Sequence, residues 1–339
     1  MRIRSRLSTA GRSAYLAMAF ALSAVAGTSA ALAGTGQPSP WQKGFQGAAT
    51  PIAEKIHWFH DILLWICVIV TAFVMGLLLI VILRFNERAN PKPSKTSHNT
   101  ALEVAWTLIP VLILLAIFVP SLRLLKDQYS YPKADVVIKA TGNQWNWDYQ
   151  YLQHKAIKFT SSMVSDEDIL KKELGDAKFS ERFGKIQGID RWKALYKEAA
   201  PLWAKHKLVR LLSVNNEVVV PVGKVVHVLV TASDVIHAWT IPSFGSKVDA
   251  VPGRTTATWF KATKTGVFYG QCSELCGKDH AFMPIAVRVV AEPVYKEWIA
   301  IMTSTEIKSR RERFERARKV IEKASLEEGG LQIADASKR

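Results

Sequence analysis

Two long stretches of the chain carry no charge. Residues 62–83 are 22 consecutive uncharged positions, mostly apolar, and 104–122 are 19 more. At about 1.5 Å per helical residue the first covers the roughly 30 Å hydrocarbon core of a bilayer, and the second nearly does. The pattern predicts transmembrane helices over 62–83 and 101–125. Pro110 lies inside the second, where a membrane helix tolerates it if neighbouring groups satisfy the freed carbonyl. The linker 84–100 carries Arg84, Arg88, Lys92 and Lys95 against Glu87, and such an excess of positive charge marks a cytoplasmic loop. The two helices therefore form a hairpin, with the polar segment 34–61 and everything after the second helix outside the cytoplasm.

Beyond residue 131 the apolar period shortens to two. Strands are predicted at 135–141, 218–220, 225–231, 256–260, 266–270 and 285–290, and this spacing of short strands indicates an all-β Greek-key sandwich over 130–293. Trp145, Trp147, Tyr149 and Tyr151 alternate, the pattern of one face of a strand. Residues 160–207 break the pattern. They are charged, and 166–200 reads as one or two amphipathic surface helices, so the segment is taken as an insertion. From 294 to 339 the chain is a charged helix-former, read as a solvated tail.

The N-terminal 33 residues combine Arg2, Arg4, Arg6 and Arg12 with an apolar core at 14–26 and end in Ala31-Leu32-Ala33, the pattern of a cleaved signal peptide. Lys plus Arg number 45 against 29 acids, a balance suited to nucleic acid or an anionic membrane face. No nucleic-acid motif accompanies it, and the apolar runs favour the membrane. Three cysteines are too few for a disulfide-stapled scaffold. Cys67, alone in an apolar run, reads as a small core residue.

The chemistry gathers near the end. Between Gly270 and Pro284 lie Cys272, Cys276, His280 and Met283, with His237 upstream in a His-Ala-Trp run. Thiolate, imidazole and a distant thioether are the donors used for copper electron transfer. One Cys suffices for a single copper, so Cys272 is a second thiolate. Two thiolates can bridge two coppers, each with one His, capped by Met283 on one side and by the backbone carbonyl of Glu274 on the other. Sharing one unpaired electron over two metals would halve the bond-length change at each. A Cys272–Cys276 disulfide or a zinc site would use the same residues, although neither accounts for Met283.

These residues, with His237-Ala-Trp-Thr-Ile-Pro-Ser-Phe-Gly245 and Asp249-Ala-Val-Pro-Gly-Arg254, resemble subunit II of cytochrome c oxidase at its dinuclear CuA centre. The resemblance runs from about residue 62 to 290 with one interruption. It implies a cupredoxin-like sandwich and two copper ions on His237, Cys272, Cys276, His280, Met283 and the Glu274 carbonyl. It further implies magnesium or manganese on the Glu274 carboxylate, shared with subunit I. Trp145 would receive electrons from cytochrome c. Glu103, in Glu103-Val-Ala-Trp106, would stand at the mouth of a proton-uptake channel, although its position alone reads as a solvated first-turn acid that suits the helix dipole.

The implied partners are the haem-bearing subunit I, subunit III and cytochrome c, with no nucleic acid. The implied location is the bacterial inner membrane, crossed more than once, with the copper domain in the periplasm. The hairpin argues against a soluble nitrous oxide reductase, and the complete ligand set against a quinol oxidase. The second reading is a membrane-anchored copper-binding or copper-delivery module without turnover. Family members commonly steer a basic cytochrome c with an acidic face, yet residues 131–293 hold 22 Lys plus Arg against 16 acids. The expectation is weak steering, apolar docking near Trp145, and Asp166-Glu167-Asp168 as the one acidic cluster able to assist.

Overall fold

The computed structural model describes residues 36–336, with side chains described to residue 324; the expected signal peptide lies outside this range. Helix α1 spans Pro51–Arg84 and helix α2 spans Thr100–Tyr129. α1 starts well before the uncharged run because Thr50 caps it, its hydroxyl accepting the Ala53 N–H at 3.0 Å, and because Pro51 suits a first helical position. In α2, Asn99 supplies the cap, and Pro110 and Pro120 both lie inside without ending the helix. No residue in the most apolar window of either helix is buried within the chain. Both are free to face lipid or partner subunits, and Cys67 is exposed on α1 rather than in a core.

The segment before α1 is not a loose lead-in. Tyr269 N–H donates to the Gly36 carbonyl (2.8 Å), Ala49 N–H to Ser243 (2.8 Å) and Thr263 N–H to Ala49 (2.9 Å). The first turn of α1 sits against the same surface, with Ile52 and Ala53 buried and the Thr50 hydroxyl donating to the Phe244 carbonyl. α2 is tied down as well, since Trp259 Nε1 donates to Gln128 O at 3.1 Å and the Tyr131 hydroxyl to Ala257 O at 2.7 Å. Each membrane helix thus ends in a hydrogen-bonded joint to the outer domain.

That domain is a sandwich. One sheet has the order β3 (Lys158–Ser161), β2 (Asn146–Tyr151), β1 (Val136–Asn143), β5 (Val225–Ala232), β8 (Thr256–Lys261); a second has β4 (Val218–Pro221), β10 (Pro284–Val290), β9 (Gly266–Gln271). β6 (His237–Ile241) and β7 (Ser246–Ala250) form a two-stranded unit. β1 with β5 and β4 with β10 are parallel and the remaining pairs antiparallel, so chain crossovers close the sandwich in the expected Greek-key, cupredoxin-like manner. Burial alternates strictly along β1, β2 and β5, which places Trp147, Tyr149 and Tyr151 in the core.

Three features differ from the sequence expectations. Thr160 and Ser161 belong to strand β3, and the segment after them folds into three helices, α3 (Asp166–Leu174), α4 (Asp176–Phe183) and α5 (Gly188–Lys205). Their own apolar face closes into a separate core of Ile169, Leu170, Phe179, Phe183, Ala199 and Trp203. The acidic cluster there is already engaged: Asp166 pairs with Arg210, Glu167 with Lys171 and Arg191, and Asp168 completes a capping box with Ser165. Finally, the C-terminal segment is docked, not solvated. Its helices α6 (Glu292–Thr303) and α7 (Arg310–Ala336) bury Trp298, Met302, Ala317 and Ile321 in the main core. Trp298 packs on Tyr151 and Phe314 on Phe159. Apolar residues three and four apart form that inward stripe inside a sequence whose charge otherwise suggests exposure.

Candidate metal centre

β9 and β10 are neighbours whose closing pair is Gln271 with Pro284. The segment from Cys272 to Met283 is therefore the connection of a hairpin, and its ends are fixed by the sheet. Inside it, a short 3-10 turn over His280–Phe282 folds His280 back toward Cys276. Ser273 N–H donates to the Ala238 carbonyl at 3.1 Å, which clips this connection onto β6. His237 is the first residue of β6, so its ring is held by a strand.

The result is a compact group of soft donors. Cys272 Sγ lies 3.9 Å from Cys276 Sγ, 3.8 Å from His237 Nδ1 and 3.3 Å from the Glu274 carbonyl oxygen. Cys276 Sγ lies 3.5 Å from both His280 Nδ1 and Met283 Sδ. Both cysteines are free thiols, and their separation far exceeds the ~2.05 Å of a disulfide. It falls within the ~4.6 Å that two metal–sulfur bonds of about 2.3 Å can span. His237, Cys272, Cys276 and Met283 are buried, while the Glu274 side chain is exposed. The donor set thus fits copper, and it leaves the Glu274 carboxylate directed to other use.

Protonation follows the packing. Burial pushes the Cys272 thiol up, but the His237 ring and backbone hydrogen bonds at Glu274 and Ala238 bring it below the usual thiol range. Burial and the adjacent Cys272 charge push Cys276 up. The two thiols are thus pushed in opposite directions, and metal binding must displace whatever protons they hold.

Asp234 and Gln144 complete the site, and neither was singled out from the sequence. Asp234 Oδ1 is 2.9 Å from His237 Nε2, which leaves Nδ1 as the ring nitrogen facing the sulfurs. Burial lowers the His237 pKa, and the nearby Cys272 and Asp234 outweigh it to give a net rise. Asp234 Oδ2 accepts the Gln144 N–H at 2.7 Å, and Gln144 Nε2 donates to the Cys276 carbonyl at 2.8 Å. The clue in the sequence was an acid three residues before a ligand histidine, the usual partner that orients such a ring. Gly142 on β1 is also required: a Cβ there would lie 2.8 Å from His237 Cδ2.

Trp145 lies in the β1–β2 turn, outside the strand row in which it was expected. Its half-buried indole donates to the Cys276 carbonyl at 3.3 Å. It packs against Gly277, whose φ of +123° favours glycine and whose absent Cβ would sit 3.1 Å from the ring. Glu103 is not brought to this site. It lies in the first turn of α2, where its carboxylate accepts the Asn99 N–H at 3.3 Å.

Comparison with known proteins gives the family. The profile described as "Cytochrome C oxidase subunit II, periplasmic domain" matches residues 136–183 and 199–290, and that for the subunit II transmembrane domain matches 38–124. "Probable cytochrome c oxidase subunit 2" of Rickettsia bellii is 44% identical over 264 residues, which is 78% of this chain and 85% of the relative. The chain belongs to the cytochrome c oxidase subunit II family. Cytochrome c oxidase subunit 2 of Cereibacter sphaeroides is 42% identical over 78% of this chain and 81% of its own length. The crystal structure of the periplasmic domain of subunit II of cytochrome oxidase from Bradyrhizobium japonicum is 46% identical, covering 50% of this chain and 94% of that one, with a TM-score of 0.37. As a subunit II, the chain is a membrane-anchored member of the oxidase complex with a periplasmic copper-binding domain. Of the insertion inferred from sequence, only 184–198 falls outside the family match.

Proposed function

We propose that this chain accepts electrons from cytochrome c at a dinuclear copper centre and passes them to haem in subunit I, in an oxidase of the bacterial inner membrane that reduces oxygen to water and pumps protons. The observation that carries the reading is the convergence of six donors: the sulfurs of Cys272 and Cys276, Nδ1 of His237 and His280, Sδ of Met283 and the Glu274 carbonyl. Two coppers held there would supply reversible one-electron chemistry. The chain's part is to keep those donors in place. The paired strands fix both ends of the ligand hairpin, Asp234 holds the His237 ring, and burial of both thiols excludes water. A site so constrained changes little on reduction, which keeps the reorganisation cost of electron transfer low.

Purification of the oxidase through a tag on this chain tests the reading. Haem should cofractionate, and the paramagnetic resonance spectrum should show hyperfine structure from one electron shared by two equivalent copper nuclei. A copper protein recovered without haem would favour the delivery module instead.

The exposed Glu274 carboxylate supports a second metal, magnesium or manganese, at the contact with subunit I, since hard divalent cations prefer carboxylate oxygen. Glu274→Ala should lower bound magnesium in the assembled oxidase while leaving copper in place, because the copper donor at this residue is its backbone. Unchanged magnesium would remove the assignment. For Glu103, the resemblance supports a place at a proton-channel mouth, and the hydrogen bond to Asn99 supports a helix-capping role.

A further inference from the structure

Residues 184–198, the stretch outside the family match, place an apolar stripe on the outside of the molecule. Along α5, Ile189, Trp192 and Tyr196 recur at spacings of three and four and so share a face. They are 68%, 57% and 44% exposed. The helical insertion does not need them for its fold, because α5 turns Ala199 and Trp203 inward to its separate core.

The stripe is built as a rigid shelf. The Trp192 and Tyr196 rings stack with centroids 5.6 Å apart and planes 3° from parallel. The Arg210 guanidinium lies 4.7 Å from the centre of the Tyr196 ring. Arg210 is held by two hydrogen bonds to Asp166, which also accepts the Trp203 indole N–H at 2.8 Å. Aromatic groups fixed beforehand lose little freedom on binding, and Trp and Tyr are enriched among the residues that dominate interface energies.

The surrounding charge is mainly of one sign. Arg191 and Glu198 are spent on Glu167 and Arg182. Within 184–198, Lys185, Lys193 and Lys197 make no ion pair among the described residues, against a single unpaired acid, Asp190. Location argues for a protein over a bilayer. The insertion follows β3 at one edge of the five-stranded sheet, whereas α2 of the membrane hairpin is tied to β8 at the other and the first turn of α1 to Phe244. Four strand spacings of about 4.8 Å put those edges roughly 19 Å apart.

We propose that Ile189, Trp192 and Tyr196, flanked by Lys185, Lys193 and Lys197, dock an acidic face of another protein outside the membrane. The test uses the full-length chain in the assembled oxidase, in its own membranes, with the photocrosslinking residue p-benzoylphenylalanine at position 189. The expected result is one protein adduct whose crosslinked segment, located by mass spectrometry, is rich in Asp and Glu. Its yield should fall about tenfold or more in Trp192→Ala with Tyr196→Ala, and again in Lys193→Glu with Lys197→Glu, while copper and haem content stay constant. Adducts to lipid only, to a second copy of this chain, to a segment without acids, or to nothing would each overturn the proposal, as would yields indifferent to those substitutions.

Discussion

Cys272→Ser is expected to destroy the dinuclear centre and leave the sandwich folded. The side chain is 5% exposed, and serine nearly matches it in size, so the packing change is small. The chemical change is large. A metal-bound thiol ionises outright, and in this chain Cys272 is the thiol whose surroundings already favour the thiolate, whereas a serine hydroxyl stays protonated. Its sulfur is also the one placed among His237, Cys276 and the Glu274 carbonyl, so no other donor can take over its position. Copper on this subunit should drop from two ions to one or none, with turnover on cytochrome c lost. The measurements are metal content, paramagnetic resonance, and recovery of the haem complex as evidence of folding. A folded variant that keeps two coppers would show that Cys272 is not a bridge.

The ligand hairpin was legible in the sequence because its donors lie within twelve residues of one another. The membrane hairpin was legible for a similar reason, since a bilayer demands long uncharged runs. What escaped were contacts between distant segments. Nothing local in 36–50 shows that its backbone hydrogen bonds reach Ser243, Thr263 and Tyr269. Likewise, the charge of the C-terminal helices masks the few apolar positions that bury Trp298, Met302 and Ile321. Trp145 was found as a residue and misplaced as an element: alternation put it in a strand, while its hydrogen bond to the Cys276 carbonyl puts it in the turn beside the metal loop. The acidic triplet at 166–168 has an equally plain reading in retrospect, as a cap and first turn neutralised by basic neighbours.

Trp145→Gln should cut turnover on cytochrome c by roughly thirtyfold or more, the scale set by an interface anchor worth ~2 kcal/mol, with copper content intact. The indole has two roles that glutamine cannot supply together. It offers an aromatic contact surface, and its N–H joins that surface directly to the Cys276 carbonyl, one bonded residue from the proposed metal. Copper should survive because none of the six donors belongs to Trp145, and Gln144 still holds the same carbonyl. The ligand hairpin beside the indole exposes two large apolar side chains, Leu275 (79%) and Phe282 (43%). The nearest cation is Lys278, 5.5 Å from the ring. The acids at 166–168 are held by internal partners, so they offer little to a basic donor. On the proposed function, docking is expected to be chiefly apolar, with a cytochrome c that is weakly basic or tethered to the membrane. Because charges are screened over roughly 8 to 10 Å at physiological salt, and complementary charge acts mainly on encounter rate, oxidation of the native donor should vary little with ionic strength. A steep loss of rate on adding salt would establish an acidic docking face; a Trp145→Gln enzyme with full copper and full turnover would move the point of electron arrival elsewhere on the domain.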